Sequence, residues 1–209
     1  MHVFLILRSG GEYRPAHVQV LAKQIEQWLP KAHVTCISDV DVPGVRCRPM
    51  LAAWPGWWAK MELFAPRIKG DILFMDLDTV IRGSLEDIAS VGKLTILRDF
   101  YRPRGLQSSL MYIPEVDRAE VWDAWLQGPS KVQALYGGKG DQAFLERFWM
   151  HKAARWQDVL PGQVVSYKVH VNPDWKHGTP GTVPETASVV CFHGKPRPFD
   201  ALEFKGLYK

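Results

Sequence analysis

Cysteine is scarce in this chain: 209 residues hold only Cys36, Cys47 and Cys191. Three cannot all pair within one chain, and their spacing matches no zinc motif. Cys36 and Cys191 sit inside apolar runs and are expected as buried thiols. A reducing cytoplasm is then the simplest compartment. No apolar run approaches the ~18 residues of a membrane-spanning helix. The opening Met1-His2-Val3-Phe4-Leu5-Ile6-Leu7 is too short for the apolar part of a secretion signal and carries no cleavage site, so no such signal is expected. No block of like charge reads as a nucleic-acid tail, so no nucleic-acid partner is expected. Internal repeats and linkers are also missing. Apolar residues at 46% and charged residues at 23% exclude disorder, collagen and coiled coil as the main state. The length fits a single domain over residues 1–209, able to bury about 70% of its unfolded surface without disulfides.

The 26 basic and 22 acidic side chains are unevenly spread. Residues 71–150 carry 9 basic and 12 acidic groups, whereas basic groups dominate on either side. An acidic middle between basic ends suits a cation among carboxylates with a polyanion beside it, and equally a chance arrangement on a solvated surface. The nine tryptophans are expected mainly in the core. Trp57 is placed there because it shares an α-helical face with Met61 and Phe64.

Val3–Leu7 is a short continuous apolar run ending at Arg8-Ser9-Gly10-Gly11, which reads as a buried strand and turn. Pro15 opens a helix with Val18, Leu21, Ile25 and Trp28 on one face, closed by Pro30. Residues 33–38 read as the next strand, so the chain starts as a βαβ unit. A helix is expected over 54–69 and a central strand over 71–75, which empties into Asp76-Leu77-Asp78-Thr79. Ser84 can cap a short helix. Strands are expected at 93–97, 108–113, 163–170 and 188–192, and helices at 115–126 and 141–152. The first of these helices has Val116, Trp122 and Trp125 on one side. Residues 128–140, rich in Gly, Ser and Lys, read as a mobile loop, and together with 100–106 they have the composition of a lid. The fold class is α/β, with a mixed, mostly parallel central sheet flanked by helices.

Asp76-Leu77-Asp78 carries the most chemistry. Residues i and i+2 of an extended segment face one side, so both carboxylates enter one space. They follow a buried strand, at the edge where open α/β sheets bind ligands. Oxygen ligands of this kind suit Mg²⁺ or Mn²⁺. Further along, Asp141 follows Gly140 at a helix start and is also read as an N-cap. His193 taken alone is read first as a structural histidine. His151, His170 and His177 show no ligand spacing.

Two families share the acidic pattern. Asp76-Leu77-Asp78-Thr79-Val80 resembles the first motif of haloacid-dehalogenase-type phosphatases, which would make Asp76 a nucleophile. In that family, however, the motif stands near the start of the chain. The wider resemblance is to GT-A-type glycosyltransferases of family 8, the group of glycogenin and bacterial galactosyl- and glucosyltransferases. It runs in order through Tyr13, Lys60-Met61-Glu62-Leu63-Phe64, Gly70–Asp78, Gly83–Ile88, Leu106–Met111 and Asp141-Gln142. It ends in His193-Gly194-Lys195-Pro196, similar to the family's His-x-x-Gly-x-x-Lys-Pro motif with a compressed spacing.

This resemblance implies a single-domain Rossmann-like GT-A fold. It also implies sugar transfer from a nucleoside-diphosphate sugar, most simply a UDP-sugar, to a glycan, lipid or protein acceptor, with retention. Asp76, Asp78 and His193 would hold Mn²⁺ or Mg²⁺. Tyr13 would stack on the base. Arg8, Lys60, Gly194 and Lys195 would receive the diphosphate, Lys195 also assisting its departure. Asp141 and Gln142 would serve the donor sugar. Besides the phosphatase, a binding module that kept the pocket without turnover is the alternative.

Overall fold

The computed structural model describes residues 1–208. Ten strands form two sheets: β1 (His2–Leu7), β2 (His33–Ser38), β3 (Cys47–Pro49), β4 (Ile72–Met75), β5 (Thr79–Ile81), β6 (Thr95–Arg98), β7 (Leu106–Ile113), β8 (Ala154–Arg155), β9 (Val164–Ser166) and β10 (Val189–Cys191). The larger sheet has the order β3-β2-β1-β4-β7-β6-β8 and the smaller β5-β10-β9. In the larger sheet β7 runs antiparallel to β4 and β6, and all other pairs are parallel. The expected mixed, mostly parallel sheet is therefore observed.

The helices are α1 (Pro15–Trp28), α2 (Glu86–Ala89), α3 (Ala119–Leu126), α4 (Pro129–Tyr136), α5 (Gly140–Trp149) and α6 (Trp156–Val159). Strand alternation divides the core. Val3, Leu5 and Leu7 of β1 with Leu73 and Met75 of β4 pack against Val18, Leu21 and Ile25 of α1. Phe4, Ile72 and Phe74 face the other way, onto Trp125 of α3 and Phe144 and Trp149 of α5.

Several expectations need correction. Residues 56–64 form a 3₁₀ segment, Gly56–Phe64, not an α-helix. Side chains three apart then share a face. Trp58, Met61 and Phe64 line up in the core, whereas Trp57 remains 49% exposed. Residues 128–140 are not a loop: Pro129 starts α4, and a further 3₁₀ turn, Gly137–Lys139, leads into α5. The segment expected as one strand over 163–170 stops at Ser166 and continues as a π-helical turn, Tyr167–Val171. Val116 lies in a separate 3₁₀ turn before α3 and is 86% exposed, so it does not share the face of Trp122 and Trp125. Loop 100–106 is tied down, with Arg102 bonded to Asp99 (3.1 Å) and to Glu146 of α5 (3.0 Å). All three cysteines are free, with Cys36 and Cys191 buried. No helix among the described residues is long and apolar enough to cross a membrane.

Candidate functional site

The chain leaves the large sheet at Met75 and enters the small one at Thr79. Asp76, Leu77 and Asp78 make the turn between them, closed by Thr79 N–H donating to the Asp76 carbonyl (3.1 Å). Leu77 turns into the core. Asp76 and Asp78 both line a cavity of about 740 Å³. This cavity lies at the C-terminal ends of β1, β4 and β10, where open α/β sheets present their ligand sites. Phe192 N–H donates to the Asp78 carbonyl (3.1 Å) and so brings the residues after β10 to the same rim.

Lys60 stands at the centre. The 3₁₀ spacing puts it three residues after Trp57, and both line the cavity. Its Nζ donates to Asp76 Oδ2 (2.9 Å) and Ser108 Oγ (3.0 Å) and lies 3.5 Å from Asp141 Oδ2. Ser108 Oγ in turn donates to Asp141 Oδ2 (2.6 Å). Burial pulls the ammonium's pKa down, but the charges of Asp141 and Asp76 outweigh it and leave it raised. Asp76 is pushed up to about 7 by burial, with Lys60 opposing and Asp78 adding to the rise. Burial also raises Asp78, against the pull of Arg197.

Arg197 was not among the expected residues. Its Nη1 donates to Asp78 Oδ2 (2.5 Å), its Nε donates to Glu12 Oε2 (2.8 Å), and its guanidinium stands 5.3 Å above the Tyr13 ring. Tyr13 lines the cavity as expected and packs edge-on against His17 and Phe199. Lys195 is exposed, paired with Glu12 at 3.2 Å, and does not line the cavity. The missed signal is a count. From Gly194, the spacing Gly-x-x-basic-Pro falls on Arg197-Pro198, so Arg197 stands where the motif has lysine. The same count puts Cys191 at the motif's histidine. Its thiol is fully buried, and burial together with the charges of Asp78 and Asp76 pushes its pKa up.

His193 lines the cavity but is engaged elsewhere. Its Nε2 shares a hydrogen bond with Ser166 Oγ (2.6 Å), and its ring stacks on Phe100 at 5.7 Å. Burial, and then the charge of Lys168, lower its pKa to about 4. Among the described residues no three His, Cys, Asp or Glu side chains are grouped to hold a metal ion. The expected set of Asp76, Asp78 and His193 is therefore not assembled. Asp76 and Asp78 remain as a pair of hard oxygen donors whose charges are balanced by Lys60 and Arg197. Such a pair fits Mg²⁺ or Mn²⁺ that takes its other ligands from water and substrate phosphates.

Arg8 lines the cavity, yet its guanidinium is held by Asp39 and by the Ala53 carbonyl (3.0 Å). Asp141 is the second residue of α5, whose N-cap position falls on Lys139, so it does not cap the helix as expected; it faces the cavity together with Gln142. The preceding Gly140 has φ +65°, and a Cβ there would lie 2.6 Å from Trp57 Nε1. Only glycine lets Trp57 close over this corner. A second hollow of about 280 Å³, lined by Asp99, Phe100, Tyr101, Gln107, Gln142 and His193, adjoins the first.

No protein-family profile matches the chain, and no curated protein matches it in sequence. Solved structures do match in shape. The glycosyltransferase GlyE of Streptococcus pneumoniae TIGR4 superposes with a TM-score of 0.69 at 12% identity, over 95% of this chain and 56% of GlyE. An active-site mutant of LgtC gives 0.66 at 12% identity, over 99% and 95% of the two chains. The bifunctional glycosyltransferase WbbM gives 0.66 at 10% identity, over 95% of this chain and 46% of WbbM. The chain thus spans about half the length of GlyE and WbbM and nearly all of LgtC. It has the GT-A fold of family 8-type glycosyltransferases.

Proposed function

We propose that this protein transfers a sugar from a nucleoside-diphosphate sugar, specifically a UDP-sugar, to a glycan, lipid or protein acceptor, with retention of anomeric configuration. The observation that carries this reading is the convergence of Lys60, Asp76, Ser108 and Asp141 on the wall of one cavity at the sheet's C-terminal edge.

A diphosphate must leave with its negative charge, and that charge has to be met where it develops. Arg197, which lines the cavity beside Asp78, brings a guanidinium suited to two phosphate oxygens. A divalent ion taken by Asp76 and Asp78 would supply Lewis-acid stabilisation of the same group. Lys60 keeps Asp76 and Asp141 at their places by charge and hydrogen bonding. Asp141, with Oδ2 taken by Ser108, accepts from hydroxyls of the donor sugar. Gln142 offers its amide oxygen toward the anomeric carbon as positive charge grows there. Tyr13 flanks the base, and Gly194 lets the backbone approach the phosphates.

The fold speaks against the haloacid-dehalogenase reading. A screen of nucleotide sugars with Mn²⁺ for diphosphate release, with Asp78→Ala as control, tests the proposal. UDP and Mn²⁺ together should raise the melting temperature more than either alone. Saturation to 100 times Kd adds about 2.7 kcal/mol. Joint stabilisation without sugar release from any donor would leave a binding module. Absence of joint stabilisation at millimolar ligand overturns the site. Aryl phosphate hydrolysis abolished by Asp76→Asn would reinstate the phosphatase.

A further inference from the structure

Lys168 belongs to no motif recognised in the sequence. It lies in the π-helical turn after β9, capped by Ser166, whose Oγ accepts the Val169 N–H (3.2 Å) and bonds His193. That turn brings the Lys168 ammonium beside Gly194, although Lys168 itself is not among the residues that line the cavity. Its Nζ is 3.5 Å from where a Cβ on Gly194 would sit, and Gly194 lines the cavity. The same Nζ stands 5.1 Å above the Trp175 ring, and Lys176 approaches that indole at 5.6 Å.

Among the described residues no carboxylate makes an ion pair with Lys168, whereas Lys60, Lys195 and Arg197 all have one. The charges that act on it most strongly are those of cations. Burial, then Arg197, then Lys176 lower its pKa. A part-buried ammonium with no carboxylate partner beside the mouth of a cavity suits an anionic group as a point charge. Glycine at 194, with φ +70°, leaves the backbone open on that side.

We propose that Lys168 binds the diphosphate of the donor from the Gly194 side. This rests on the sugar-nucleotide reading above and adds a residue to it. Lys168 supplies the point charge, and Arg197, held on Asp78 and Glu12, the directional one. An anionic acceptor carrying a phosphate would present the same chemistry, so the test separates the two sources.

Binding of UDP, uridine and inorganic pyrophosphate is measured by calorimetry at constant Mg²⁺ for the wild type, Lys168→Met, Lys168→Arg and Lys176→Met. Lys168→Met should weaken UDP and pyrophosphate about tenfold each, the scale of one lost charge-assisted contact. Uridine should bind as before. Lys168→Arg should stay within about threefold of the wild type, and Lys176→Met within about twofold. An unchanged ratio of UDP to uridine affinity in Lys168→Met overturns the proposal. A parallel loss of uridine overturns it too, because that reads as a structural role. Weakened pyrophosphate with unchanged UDP moves Lys168 to a phosphorylated acceptor and overturns the donor assignment. A wild type that binds pyrophosphate but neither UDP nor uridine sinks the uracil reading alone, and the pyrophosphate arm then decides Lys168. A wild type that binds none of the three sinks both.

Discussion

Arg197 Nη1 lies 2.5 Å from Asp78 Oδ2, joining residues 119 apart in the chain. This contact decides how the acidic pair survives burial. Two carboxylates in one cavity repel, and Lys60 on Asp76 with Arg197 on Asp78 balance them. Removal of one cation leaves an uncompensated buried charge, which is costly. Arg197→Ala should lose about 2 kcal/mol of stability, below the fully buried range because Arg197 is only half-buried. Added Mg²⁺ or Mn²⁺ should raise the melting temperature of Arg197→Ala more than that of the wild type. Equal shifts would mean that Arg197 and the ion do not compete for Asp78.

The 3₁₀ register makes neighbouring tryptophans unequal. Trp58 stacks on Trp125 at 5.3 Å within the core, and Trp57 lies at the cavity mouth. Trp58→Ala should cost about 3–5 kcal/mol in urea unfolding. Trp57→Ala should cost under about 1 kcal/mol and act instead on nucleotide-sugar affinity. Similar losses at both positions would contradict the register.

Gly140 should not accept a side chain. Gly140→Ala meets both a positive φ and the Trp57 indole. A destabilisation of about 1–2 kcal/mol is expected, with weaker donor binding because Asp141 and Gln142 follow directly. In the double variant Gly140→Ala, Trp57→Ala the steric part should vanish and the backbone part remain. Strict additivity would place the strain elsewhere.

Two titrations oppose each other. His193 has a native pKa of about 4 against an ordinary 6.5. The unfolded chain therefore binds the extra proton between those values, and stability from this group rises with pH. Asp76 has a native pKa of about 7 against an ordinary 3.8. There the native state binds the extra proton, and stability from this group falls as pH rises. In metal-free buffer, Asp76→Asn should gain melting temperature from pH 4.5 to 7 relative to the wild type, and His193→Gln should lose it. Parallel curves for all three proteins would rule out burial as the cause of either shift.

Much of the fold could be read in advance. Val3–Leu7 and Ile72–Met75 are unbroken apolar runs, and such runs mark strands covered on both faces. The periodic face of Val18, Leu21 and Ile25 is the buried face of α1. Where the reading failed, the local signal was weak for a physical cause. α4 buries none of its residues fully, so no apolar stripe announces it. β3, β5 and β8 are three residues or fewer, too short to show an apolar pattern of their own.

The acidic pair, its position after a buried strand and the glycine before Asp141 are written in the order of residues, because local backbone chemistry and side-chain alternation act over a few positions. Partner choice is not. Whether Asp78 meets His193, Lys195 or Arg197 depends on how the segment after β10 and the turn after β9 leave the smaller sheet. That packing sends His193 to Ser166, Lys195 to solvent and Arg197 to the carboxylate. Burial and long-range charge set these pairings, and both arise only when segments far apart in the chain come together at one cavity.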